Sequence, residues 1–185
     1  IFLICGIIPW TWFTTCISQG SGIFVYNSNL IKKVYFPREI LPISSVTAGL
    51  INFLISCIII VIFVLLGGVG LSWHLIFLPL LAVIQYIFTL ALVFLISSIN
   101  VYVRDVEYIV VFILNMLFYA TPVLYSYEMF EGTKLIWLFR LNPMAHLINA
   151  YRDIFYVHQI PQLMNLLVVF VCSIILLIIC YLIFK

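Results

Sequence analysis

Acidic and basic side chains are confined to short clusters in this chain. No Asp, Glu, Lys or Arg occurs at positions 1–31, 40–103, 108–127 or 154–184. A helix that spans a bilayer needs about 20 predominantly apolar residues, so the second stretch holds two spans and each of the others one. Backbone groups in hydrocarbon must bond to one another, which leaves helices or closed barrels. Barrel strands alternate apolar and polar residues. These runs are apolar on every side, so helices are expected. A soluble alternative fails on composition. The 185 residues are 66% hydrophobic and 8% charged, against about 25% charged in ordinary soluble domains. The expected fold class is an all-α integral membrane protein, a polytopic helical bundle with five spans in this chain.

The spans are expected at 1–26 (interrupted by Pro9 and by Gln19-Gly20-Ser21-Gly22), 43–66, 75–99, 108–125 and 161–184. Gly67-Gly68-Val69-Gly70 and Ser72 mark a turn. Links alternate sides of the membrane. One side carries Lys32, Lys33, Arg38, Arg104 and Lys185; the other carries Lys134, Arg140 and Arg152. The excess of positive residues assigns the first set to the cytoplasm. The first span then runs from outside to inside. The chain starts at Ile1 inside an apolar run, without the charged region and small-residue site of a signal peptide. If the complete protein starts in the cytoplasm, an odd number of further spans is expected before it.

Two links have structure of their own. In the first, Asn29 suits an N-cap and Pro37 disfavours helix at Phe36. Leu30 with Val34, or Ile31 with Tyr35, share a face, while Lys32 and Lys33 project elsewhere. A two-turn helix is expected that docks on a partner or lies on the membrane with snorkelling lysines. The long link at 126–161 contains two apolar segments too short to span, and Asn142-Pro143 reads as N-cap plus proline at the first helical position. A re-entrant helical hairpin is expected at about 135–156, the alternative being a surface loop with interfacial aromatics. Arg152 and Asp153 in its second arm are expected near the outer water layer or paired within the fold.

Signs of catalysis are few. His74, His146 and His158 lack metal-ligand spacing, and the five cysteines all lie in apolar runs without a CxxC. No phosphate loop or nucleophile elbow is present. Arg104, Asp105 and Glu107 form the densest charged group. They read as helix-end charges, Asp105 favouring the helix N-terminus that follows, rather than as a carboxylate pair for catalysis. No ionisable residue lies mid-span, as proton- or sodium-coupled carriers usually require, so power from another subunit is expected. A net charge of +2 gives no argument for nucleic acid.

Five motifs in order resemble a known family. They are Gly6-Ile-Ile-Pro-Trp10; Asn29-Leu-Ile-Lys-Lys-Val-Tyr-Phe-Pro-Arg-Glu-Ile-Leu-Pro42; Asn100-Val-Tyr-Val-Arg-Asp-Val106; Thr121-Pro-Val-Leu-Tyr125; and Leu141-Asn-Pro-Met144 with Tyr151-Arg152. The chain resembles the permease subunits of type-2 ABC exporters, most closely the group for O-antigen, capsular polysaccharide and teichoic acid. The resemblance implies a single permease domain over 1–185, belonging to a six-span subunit whose first span and preceding amphipathic helix are absent here. It implies a dimer of two permease copies in the bacterial cytoplasmic membrane, with two ATPase subunits that hold ATP and Mg. No cofactor, metal or catalytic residue is implied on this chain. Asn29, Leu30, Ile31, Lys32, Lys33, Val34, Tyr35, Phe36 and Pro37 match the family's coupling region; Arg104 and Asp105 form the second cytoplasmic loop; Asn142, Pro143 and Arg152 belong to the re-entrant region. The implied substrate is a lipid-linked glycan. Competing functions are a drug or small-lipid exporter of the same superfamily, a membrane-embedded transferase acting on lipid-linked sugars, and a scaffold.

Overall fold

A computed structural model describes residues 1–33, 37–68, 70, 72–125, 139 and 141–184. Its elements are helices, with no strand among the described residues. In chain order they are α1 (Phe2–Ser21), α2 (Ile23–Tyr26), α3 (Ser28–Lys33), α4 (Ile40–Leu66), a 3-10 turn (Trp73–Phe77), α5 (Leu78–Tyr102), α6 (Val106–Ala120), α7 (Pro143–Arg152), a π-helical turn (Asp153–Val157) and α8 (Leu163–Phe184).

Among the described residues, four helices are long and apolar enough to cross a membrane: α1, α4, α5 with its preceding 3-10 turn, and α8. The polytopic all-α class is therefore as expected. The stretch expected as the fourth span differs in length. α6 has 15 residues, about 22 Å at 1.5 Å per residue, against a hydrocarbon core of about 30 Å. It stops because proline restricts its predecessor to extended backbone. Thr121 before Pro122 has φ −110° and ψ 136°. The charge-free run continues past this point, but the helix does not.

α5 is the axis of the bundle. It packs against α8, α1 and α4, and it buries Leu81, Ile84, Val93 and Phe94. Pro9 lies inside α1 and is accommodated there; the buried amide of Gln85 on α5 donates to the Pro9 carbonyl at 2.8 Å. Rings join the layers: Trp12 stacks on Phe53 at 4.5 Å, and Phe13 on Phe88 at 5.7 Å. α7 enters this core from one end, burying Met144, Leu147, Ile148 and Tyr151. Ten residues reach only about 15 Å, so α7 fits the second arm of the expected re-entrant hairpin. Of the first arm, only Phe139 and Leu141 are among the described residues.

The link after α1 differs from expectation in register. α3 starts at Ser28, with Leu30 N–H and Ile31 N–H both donating to the Asn27 carbonyl. Asn29 therefore sits inside the first turn rather than capping it. The Asn27 side chain instead donates back to the Ile23 carbonyl at 2.8 Å, tying α3 to α2.

Candidate functional site

The strongest candidate arises from the wrong kind of surface in the wrong place. α1 turns Cys5, Trp12, Phe13, Cys16 and Ile17 into the protein. Thr11, Thr14, Thr15, Ser18 and Gln19 lie on its open side, exposed or half-buried. Positions 11, 14, 15 and 18 follow the three-and-four spacing of one helical face. A lipid-facing helix would invert this pattern, because a polar group in hydrocarbon without partners costs several kcal/mol. The Thr11 and Thr14 hydroxyls limit that cost by donating to the carbonyls of Ile7 (2.7 Å) and Trp10 (3.1 Å). The exposed amide of Gln19 extends the polar face.

α6 faces this surface. Trp10, Thr11, Thr14, Thr15, Ser18 and Gln19 of α1, with Val111, Leu114, Asn115, Phe118 and Tyr119 of α6, line a groove of about 650 Å³. Trp10 and Phe118 meet at 5.8 Å between ring centroids. The groove thus offers hydroxyls and amides along its length, with aromatic rings toward one end. Sequence reasoning missed these residues. The spacing of Thr11, Thr14, Thr15 and Ser18 was a readable signal, but nothing along the chain connects them to Asn115.

One end of the groove is fixed by a buried arginine. Arg152 is 4% exposed. Its guanidinium donates to the carbonyls of Pro122 (2.7 Å), Val123 (2.6 Å) and Tyr125 (3.2 Å). It lies 3.7 Å from the centroid of the Phe2 ring, a cation–π contact. Burial draws its pKa down to about 10, so it stays charged at neutral pH. These carbonyls belong to the turn that follows α6, beyond its last residue Ala120, and a buried carbonyl needs a partner. Asn142 completes the arrangement. Its side-chain oxygen caps α7 at Met144 N (3.0 Å) and its amide donates to Thr121 Oγ1 (2.9 Å). Gly6 makes room, since a Cβ there would sit 2.9 Å from the guanidinium and 3.0 Å from the Val123 carbonyl. The fold therefore gathers Gly6, Thr121, Pro122, Asn142, Pro143 and Arg152 in one place. Of the two expectations for Arg152, pairing within the fold is the one observed.

The other end of the bundle carries Lys32, Lys33, Arg38 and Arg104. α3 buries none of its residues; Asn29, Leu30, Lys32 and Lys33 are exposed and Ile31 is half-buried. Val34, Tyr35 and Phe36 lie outside the described residues, and Pro37 is exposed. Arg104 and Asp105 are exposed in the turn between α5 and α6. Asp105 occupies the N-cap position of α6 without a side-chain cap bond, and Glu107 is in the first turn. Two phenol–carboxylate bonds cross this end: Tyr26 donates to Glu107 Oε1 at 2.7 Å and Tyr181 to Glu39 Oε1 at 2.8 Å.

Comparison with known proteins places these features. Residues 1–156 match the model of the ABC-2 type transporter family. The chain is 36% identical over 178 residues to the O-antigen export system permease protein RfbA of Myxococcus xanthus, covering 95% of this chain and 68% of that protein. It is also 36% identical over 157 residues to a protein of the same description from Klebsiella pneumoniae, covering 84% of this chain and 60% of the relative. The matched family region holds the groove, the arginine clamp and α3 alike, and the chain belongs to the ABC-2 type transporter family.

Proposed function

We propose that this chain is the membrane-spanning subunit of an ATP-driven exporter that moves a lipid-linked polysaccharide of the O-antigen type across the cytoplasmic membrane, and that the α1–α6 groove is one wall of the path. The carrying observation is the polar face of α1. Hydroxyls and amides exchange hydrogen bonds with sugar hydroxyls, and Trp10, Phe118 and Tyr119 offer flat apolar faces to sugar rings. A second copy of the chain closes the open side, which keeps the polar face from lipid. The Lys/Arg-rich end faces the cytoplasm. ATP and Mg belong to two copies of a separate ATPase, on which α3 docks.

Two experiments test this. Thr15→Trp should fill the groove and lower export of glycan to the outer surface about tenfold, a barrier change of ~1.4 kcal/mol, while the ATPase still co-purifies and hydrolyses ATP. Normal export by that variant would remove the groove from the path. For docking, Leu30→Asp should weaken ATPase capture by about 2 kcal/mol, as truncated interface anchors do, with Lys32→Ala nearly silent as an exposed rim charge. Full capture by correctly inserted Leu30→Asp and Ile31→Asp would exclude α3 as the contact.

A further inference from the structure

We propose that Tyr26 and Glu107 form a latch across the Lys/Arg-rich mouth of the α1–α6 groove, holding it narrow until the link carrying α3 is moved. The proposal rests on the groove being the path. The groove ends at Gln19 on α1 and begins at Val111 on α6. Tyr26 and Glu107 lie just beyond that mouth, one on the continuation of each wall, and their bond of 2.7 Å closes the gap.

Three observations make this contact more than incidental. First, position 22 adjoins the contact: a Cβ there would meet the Tyr26 ring and sit 3.0 Å from Glu107 Oε2, so a larger residue would push the phenol away from its present place. Gly22 breaks α1 from α2 and lets the phenol fold back toward α6. Second, α6 is weakly held along its length, burying only Val110 and Leu114. Its placement therefore depends on its ends. Arg152 secures the turn at one end; at the other the Tyr26–Glu107 bond joins it to α2. Third, the phenol belongs to the unit that a partner can reach. Asn27 ties α2 to α3 through its carbonyl and its side chain, and α3 buries nothing. A push on α3 is delivered to Tyr26 first. The bond is exposed, and an exposed charged hydrogen bond competes with water. It is weak enough for such a push to break. The Glu39–Tyr181 bond holds the far side of the same link to α8, so motion concentrates on the Tyr26 side.

The test uses the full exporter reconstituted with its ATPase, with the five native cysteines replaced by alanine and Ser18→Cys as reporter. ATP hydrolysis confirms assembly. A membrane-impermeant thiol reagent is applied from the cytoplasmic side without nucleotide. Tyr26→Phe and Glu107→Ala should each raise the labelling rate about fivefold. The double variant should label no faster than either single one, and Glu107→Gln, which keeps an acceptor, should stay near the parent. Parental rates in both single variants, or additive effects in the double, overturn the latch. Export measured after complete labelling tests the path separately. Full export then removes the conduit reading, whereas blocked export with unchanged labelling rates removes the latch alone.

Discussion

α8 and α1 both present exposed faces along a membrane span, yet the two faces suit different surroundings. α8 exposes Leu167, Val168, Val171, Ile175, Ile178 and Ile179; α1 exposes Thr11, Thr15 and Gln19. The first face loses nothing in hydrocarbon. The second leaves oxygens and amides that need water, sugar or another protein surface. Exposure within one chain therefore has two meanings here, and side-chain chemistry separates them.

Three pairs of substitutions probe that difference. The largest effect is expected at the clamp that secures the groove wall. Arg152→Ala strips the partner from two buried carbonyls and a half-buried one and should lower stability by about 3 kcal/mol, read as a reduced thermal midpoint in detergent. Arg152→Lys should recover only part, because an ammonium lacks the planar fork. An unchanged midpoint for the alanine variant would mean that α6 is fixed by something else. Next in size is a charge placed on each face in turn. Ile175→Arg should cost about 2.5 kcal/mol of membrane insertion and reduce the integrated fraction of the protein. Asn115→Arg should integrate normally, because the groove is not lipid. Equal losses would abolish the distinction between the faces. The smallest effect is a near-isosteric exchange. Thr15→Val should leave stability within about 0.5 kcal/mol of the parent while slowing transport, and Val171→Thr should leave transport unchanged. A transport defect in Val171→Thr would show that the α8 face also meets substrate.

The long spans were legible because lipid imposes one rule along the whole chain. Charge-free runs gave α4, α5 and α8 to within a few residues, and Gly22 was visible as an interruption of the first span, whereas the helix runs unbroken through Pro9. Asn142-Pro143 marked the start of α7 through local capping chemistry. What escaped detection depended on contacts distant in sequence. α6 was read through to residue 125 because absence of charge was taken as persistence of helix, although Pro122 stood inside the run. The turn that follows that helix is satisfied by Arg152 on another element, which no local pattern reveals. The partnership of Tyr26 with Glu107 was equally hidden, each residue having a sufficient local account as an interfacial aromatic or a helix-end charge. The polar face of α1 was the one missed feature with a periodic signature.

The arginine clamp also bears on how the protein is made. During synthesis α6 leaves the ribosome well before Arg152 does. The carbonyls of Pro122, Val123 and Tyr125 in the turn that follows it then have no guanidinium to receive them. A short helix followed by a turn with bare acceptors is poorly suited to stay in a bilayer alone, so its membrane position becomes secure only when α7 arrives. Biogenesis of this chain is then not a strict sequence of independent insertions. The groove wall is provisional until a later segment completes it, and errors in α7 would be felt first as misplacement of a helix already synthesised.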